Sequence, residues 1–347
     1  MKNKSVIQIF FMSLILISTV SCQEEEFFEK EYIESFKEQY EKEQAQIVEV
    51  IDDDGSTTGD DGTQTTSVED SFTQTATSLK KLDILWVVDN SGSMSEEQEN
   101  LGKNFEDFID KFANLGIDFK MSITTTDTRG TQAGKPVSGS LEKLTSEELV
   151  KDKQGFLDDF NNMVQVGING WGIEKGLKAS EEFTRKYASN HFRENAYFII
   201  IYVSDEEDQS GKTIQNHFNQ LSSWKSNPGL VKAYSIVDTS SPIYNNQYFE
   251  SGYKRYKDMS DLTGGYVADI NDNFSSTLLN IGNNIAELAK SFPLSQNPFE
   301  TSSIKVFVNG IEDNRWIYDP VNRTIKFNDS QEPQANDIIK VTYEVES

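Results

Sequence analysis

Two apolar runs dominate the hydrophobic pattern, Leu82 to Val88, broken only by Asp83, and Ala196 to Val203. Short, continuous and rich in Val and Ile, they predict strands buried on both faces, as in a parallel sheet. After the first run, Leu101, Phe105, Phe108, Phe112 and Leu115 recur on one helical face, with Ser95 and Gln98 spaced as a capping box. Met121 and Ile123 alternate with polar residues, which predicts a half-buried strand over Phe119 to Thr126. The pattern then predicts helices within Gly155 to Val166, around Ile173, Leu177 and Tyr187, and near Ile214 to Trp224. Strands at Val231 to Val237 and Gly264 to Ile270 follow, and a closing helix from Phe274 to Phe292. Such alternation predicts the α/β class: a doubly wound, mostly parallel sheet covered by helices on both faces, over residues 79–293.

Beyond Pro293 the period becomes two. Ile304, Val306 and Val308 alternate, Asn309-Gly310 is a strong turn signal, and Trp316 to Tyr318, Thr324 to Phe327 and Ile339 to Tyr343 read as further strands. Residues 294–347 are therefore expected to form a small antiparallel β unit, whose thin core packs on the main body or on a partner.

At the start of the chain, Lys2 and Lys4 precede an apolar stretch from Val6 to Val20, followed by Ser21-Cys22. This is the pattern of a secretory signal with a lipoprotein-type cleavage site over residues 1–21. It makes Cys22, the single cysteine, the expected lipidated first residue of the mature chain. The apolar stretch is short of the roughly 20 residues that a transmembrane helix needs. The expected location is a bacterial cell envelope, as an outer-membrane lipoprotein facing the periplasm or the exterior and held to the membrane through Cys22. Residues 22–51 are Glu-rich, with Phe28, Tyr32, Phe36 and Tyr40 along one stripe, either a partner-docking helix or a charged stalk. Residues 52–78, dense in Asp, Gly, Thr and Ser, cannot support a packed core and are expected to be a flexible linker.

Charge narrows the partners. Asp and Glu number 57 against 32 Lys and Arg, a formal net charge of -25 that repels phosphate backbones. That balance argues against nucleic-acid binding and favours cation uptake.

The candidate chemistry lies where the two apolar runs end. Asp89-Asn90-Ser91-Gly92-Ser93 follows the first, and Asp205 follows the second. Hard oxygen side chains at alternate positions beyond the carboxyl end of a parallel strand suit Mg²⁺ or Ca²⁺. The Asp-x-Ser-x-Ser segment, with a second strand-then-Asp later in the chain, resembles the metal-ion-dependent adhesion site of von Willebrand factor A domains. Over residues 79–293 this resemblance implies a site of Asp89, Ser91, Ser93 and Asp205 holding Mg²⁺, or Ca²⁺ or Mn²⁺. It also implies an open position completed by an oxygen, typically a carboxylate from a partner protein.

The resemblance further implies a threonine from a third loop. The segment Val166 to Glu174 looks like that loop, but Ile168 stands at the expected position and offers no oxygen. Either the amide carbonyl of Asn169 or water is expected there instead. Asp127, closing the strand over Phe119 to Thr126, is read either as a supporting residue of the site or as a turn residue. Glu206, Glu207 and Asp208 read as a solvated loop that deepens the negative field. Trp171 is either an exposed partner contact or a cover for the core.

Catalysis finds little support. Asn90-Ser91-Gly92 lacks a nucleophile elbow, Gly167 to Gly172 lacks the lysine of a phosphate loop, and His191 and His217 read as structural or solvent-facing. The expectation is a non-catalytic envelope lipoprotein that binds a partner protein through a divalent cation. The rival is a structural envelope component with a metal-free site, acting through its β unit or N-terminal helix.

Overall fold

A five-stranded parallel sheet lies at the centre, in the order β3 (Asp118–Thr125), β2 (Lys81–Val88), β4 (Tyr197–Ser204), β5 (Val231–Val237), β6 (Val267–Asp269). The computed structural model describes residues 65–73, 81–240, 253–328, 331–334 and 336–346. Cys22, the signal segment and the stalk expected over 22–51 lie outside the described residues. All eight residues of β4 are buried, and seven of eight in β2, as their largely apolar sequences require.

Successive side chains of β2 point to opposite faces, and each face has its own core. Leu82, Ile84, Trp86 and Val88 pack with helices α1 (Ser95–Lys103), α2 (Phe105–Leu115), α3 (Lys153–Val164) and α7 (Phe274–Leu288). Trp86 meets Phe105, Phe108 and Phe160 edge-on at 5.3 to 6.0 Å. Leu85 and Val87 face α4 (Gly176–Phe183), α5 (Ile214–Ser222) and α6 (Lys254–Thr263). The α/β expectation therefore holds, with a helical layer on both sides.

One predicted helix is two. The chain breaks at Asn104, whose backbone N–H and side-chain amide both bond to Asn100 O, and α2 starts afresh. The expected capping box is also absent: Met94 occupies the cap position of α1 with no side-chain cap, and Gln98 is used elsewhere.

The β unit recruits both ends of the described chain. Thr65–Thr73, inside the stretch expected to be linker, forms β1 and pairs antiparallel along all nine residues with β12 (Ile338–Glu346). The linker expectation thus fails over this segment. With β8 (Lys305–Val308) and β9 (Ile311–Asp313) these strands make one sheet, ordered β1-β12-β8-β9. The second sheet is β10 (Trp316–Asp319), β11 (Thr324–Phe327) and β7 (Ser291–Pro293). Phe292, Val306, Ile325, Ile339, Val341 and Tyr343 fill the space between, with Val68 and Phe72 of β1 packed on them. Asn309 and Gly310, both at positive φ, make the predicted tight turn between β8 and β9.

This unit docks at the amino edge of the parallel sheet. Lys232, near the start of β5 and fully buried, donates its ammonium to Asn322 O at 2.5 Å. Asn227 donates to Pro293 O, Arg323 to Leu262 O, and the Tyr197 and Ser291 hydroxyls meet at 3.0 Å. The carboxyl edge of the sheet is left to the loops. Among the described residues no helix is long and apolar enough to cross a membrane.

Candidate functional site

Val88 and Val203 are register partners in β2 and β4, so both chains leave the sheet side by side at its carboxyl edge. Asp89 N–H donates to Val203 O at 2.9 Å, and Asp89 and Asp205 lie within electrostatic reach on the same edge. The two aspartates picked out in the sequence are thus brought together.

Asp89 is completely buried, and its carboxylate is fixed from two sides. Ser91 N–H donates to Oδ1 at 2.7 Å, bending the loop back, and the Ser204 hydroxyl donates to Oδ2 at 2.7 Å. Ser91 Oγ and Ser93 Oγ stand 3.3 Å apart; Ser91 is buried while Ser93 opens to solvent. Asp205 Oδ1 is buried and has no hydrogen-bond partner.

The third loop is held close to the first. Gly170 N–H donates to Asn90 O at 2.7 Å. Gln98, reaching up from α1, donates one amide group to both Asp89 O at 2.8 Å and Gly167 O at 2.9 Å. Ile168 lies 44% exposed on this loop, and Asn169 is exposed beside it. Trp171 is half-buried, with the Lys175 ammonium 5.1 Å above its ring.

The carboxylate that reaches the centre from this loop is Glu174. It is fully buried, accepts from Thr126 Oγ1 through Oε2, and lies within electrostatic reach of Asp89. Its Oε1 is buried without a partner. Its backbone is clamped as well, since Gln209 N–H donates to Glu174 O at 2.7 Å. Burial, reinforced by the Asp89 charge, pushes the Glu174 carboxyl up to about 8. Burial also raises Asp89, against the hydrogen bonds from Ser204 and Ser91.

Asp127 stands apart from this cluster. Arg129 grips both its oxygens, at 2.6 to 3.1 Å, and this hydrogen bonding holds the carboxyl below its ordinary range. The acidic run after Asp205 is not a solvated loop. Glu206 is exposed, but Asp208 is buried, accepting from Leu177 N–H at the start of α4, from Ser210 and from Arg255. Glu207 is buried too and accepts from Asp208 N–H and Arg255 N–H, its carboxyl pushed by burial up to about 7. Asp208 thus anchors α4, two residues beyond Glu174. His217 is buried against Glu181 at 2.7 Å, away from the edge.

Chemically, the edge offers hydroxyl and carboxylate oxygens and no sulfur or imidazole, a donor set suited to a hard cation. Glu97 and Glu206 add to the negative field, each raised by burial first and by the Asp205 charge as a further cause. Among the described residues, no three His, Cys, Asp or Glu side chains are drawn together as a ready-made metal centre. Any cation here would depend on the serine hydroxyls as well as the acids. Two buried oxygens without partners, Asp205 Oδ1 and Glu174 Oε1, are consistent with such a ligand.

Sequence reasoning missed Ser204, Gln98 and Glu174 as parts of this site. Glu174 closed the very segment taken for the third loop, but the search there was for a threonine.

No protein-family model matches the chain, and no curated protein matches it in sequence. Solved structures of similar shape include proximal thread matrix protein 1 from the mussel byssus, at 13% identity and a TM-score of 0.42 over 65% of this chain and 52% of that one. A second form of that protein, described with a zinc-occupied MIDAS motif, matches at 14% identity and a TM-score of 0.41, over 63% of this chain and 48% of that one. The pilus adhesin SpaC of Lactobacillus rhamnosus GG, in its open conformation, matches at 13% identity and a TM-score of 0.40, over 81% of this chain and 40% of that one. The chain spans about half the length of the mussel protein it matches.

Proposed function

We propose that the carboxyl edge of the sheet binds a divalent cation, Mg²⁺ or else Ca²⁺ or Mn²⁺, and through it a partner protein, in a non-catalytic adhesion or assembly role. The observation that carries this reading is the convergence of Asp89, Ser91, Ser93 and Asp205 from two adjacent strands, with Asp205 Oδ1 buried and unpartnered. Ser91 and Ser93 would present their hydroxyls to the ion, and Asp89 and Asp205 would balance its charge. A bound cation supplies an electrophilic open position for a foreign oxygen, a partner carboxylate being the strongest such donor. The exposed loop carrying Ile168 and Trp171 would line the approach. Lipid attachment through Cys22 would hold the protein to a bacterial outer membrane.

One observation favours the rival. Both oxygens of Asp89 are already satisfied within the protein, by Ser91 and Ser204, so the loop can stand without an ion. The protein would then be a structural envelope component working through its β unit. Calorimetric titration of the full chain with Mg²⁺, Ca²⁺ and Mn²⁺, beside Asp89→Ala and Ser91→Ala, separates the two readings. Saturable heat in the parent that both variants lose supports the cation site; no heat in the parent supports the rival.

A further inference from the structure

We propose that Lys232 and Asn322 close into an intramolecular amide bond, joining the β unit covalently to the parallel sheet. Lys232 is the second residue of β5, and Asn322 lies in the turn between β10 and β11. The bond therefore crosses from one part of the fold to the other at the sheet's amino edge.

Three observations meet at this point. The Lys232 side chain is completely buried, and its Nζ stands 2.5 Å from the main-chain oxygen of Asn322. Among the described residues no carboxylate bonds to it: the charge of Asp319 reaches it, but Asp319 is paired with Lys326 at 3.2 Å. An ammonium with no counter-ion in contact is costly to keep inside. Asn322 is buried as well, 6% exposed, and its Oδ1 has no hydrogen-bond partner. Buried amide oxygens are seldom left so, and this one belongs to a carbonyl that an amine can attack. Asp319 holds the leaving group: Asn322 Nδ2 donates to Asp319 Oδ2 at 2.9 Å, and Asn322 N–H donates to Oδ1 at 3.1 Å.

The charges suit the chemistry. Burial, aided by the Arg323 charge, brings the Lys232 amine down from 10.5 to about 7, which frees its lone pair near neutral pH. Asp319 is the opposite case. Burial raises it, but the Asn322 hydrogen bond and the Lys326 charge hold its carboxyl below the ordinary range, as a base. Amine, amide and carboxylate are thus held together, where proximity replaces a bimolecular encounter. Closure asks for side-chain rotation rather than backbone movement.

The step balances. The amine attacks Cγ of Asn322, the Nζ–Cγ bond forms and the Cγ–Nδ2 bond breaks. Asp319 takes the proton that the amine sheds and passes it to Nδ2, which leaves as ammonia; nothing is oxidised or reduced. The buried charge disappears, and the β unit can no longer detach without breaking a covalent bond. Freshly folded chain still carries the free amine, whose titration belongs to that state.

The test is a tryptic peptide map of the full chain, taken when freshly purified and after days at about pH 9, where the amine is neutral. Closure abolishes cleavage after Lys232 and yields one branched fragment, residues 226–254 joined to residues 316–323, lighter than the two together by one ammonia. Lys232→Met gives no such fragment. Asp319→Asn, which keeps both reacting groups, closes about tenfold or more slowly. Separate, unmodified peptides after incubation overturn the proposal, as does Asn322 hydrolysed to aspartate beside a free Lys232. Closure at the parental rate in Asp319→Asn overturns the role given to the aspartate. The parent's own map decides the proposal even where a variant fails to fold.

Discussion

Gly170 lies against Asn90 so closely that a Cβ there would stand 2.3 Å from Asn90 Oδ1 and 2.5 Å from Asn90 O. The contact sets the spacing of the first and third loops. Gly170→Ala must push the loops apart. We expect a stability loss of about 1–3 kcal/mol, as for other overpacked sites, with a larger proportional loss of cation affinity. Urea denaturation and metal titration of one preparation compare the two. Unchanged metal binding would show that loop spacing is irrelevant to the site.

Gln98 makes the second tie, from α1 to the carbonyls of Asp89 and Gly167. Gln98→Leu keeps the volume but strands the buried Asp89 O and frees Gly167 O on the exposed loop. A cost of about 1–3 kcal/mol is expected, together with weaker cation binding. Gln98→Glu, which loses the donor and adds a charge, should be worse in the absence of metal. Equal stability for parent and Gln98→Leu in chemical denaturation would contradict this role.

At the opposite edge, Arg193 donates to both oxygens of Asp83, a carboxylate with no solvent exposure. Burial raises Asp83 and the arginine opposes that rise. Arg193→Ala leaves the acid buried and alone, and we expect about 3–5 kcal/mol of destabilisation with little change in the affinity of properly folded protein for metal. A milder effect on denaturation would show that Lys225, the other cation acting on Asp83, suffices.

Lys232 predicts a pH dependence. Burial pulls its ammonium down from 10.5 to about 7. Between these values the unfolded chain binds a proton that the folded chain does not, so this group's contribution makes the protein more stable as pH rises from about 7 towards 10.5. Below about 7 both states are protonated and the penalty is constant. Lys232→Met lacks this slope, so its stability relative to the parent should fall between pH 7 and about pH 9. Denaturation midpoints at the two pH values measure it; a constant difference would mean that Lys232 stays charged in the folded state.

The central sheet was legible because β2 and β4 are buried on both faces, which leaves no polar alternation to confuse their apolar runs. Asp89 and Asp205 were legible for the same reason: each marks where such a run stops. β1 was not, because Thr65–Thr73 is an edge strand whose inward face carries just two apolar residues, Val68 and Phe72, with the buried Asp70 between them, and its partner β12 lies at the far end of the chain. Polar residues at a sheet edge have the composition of a linker. Glu207 and Asp208 misled in the opposite way. Their charges read as solvated, whereas Arg255 and the backbone N–H of Leu177 hold them inside. Such partners come from elements remote in sequence, and local pattern cannot supply them.

The most direct test of the cation site is anomalous diffraction from crystals of the full chain grown with Mn²⁺. The account predicts one strong peak at the carboxyl edge, bounded by Asp89, Ser91, Ser93 and Asp205. Saturating Mn²⁺ with no peak there, or a peak only at other acidic positions on the surface, would contradict it.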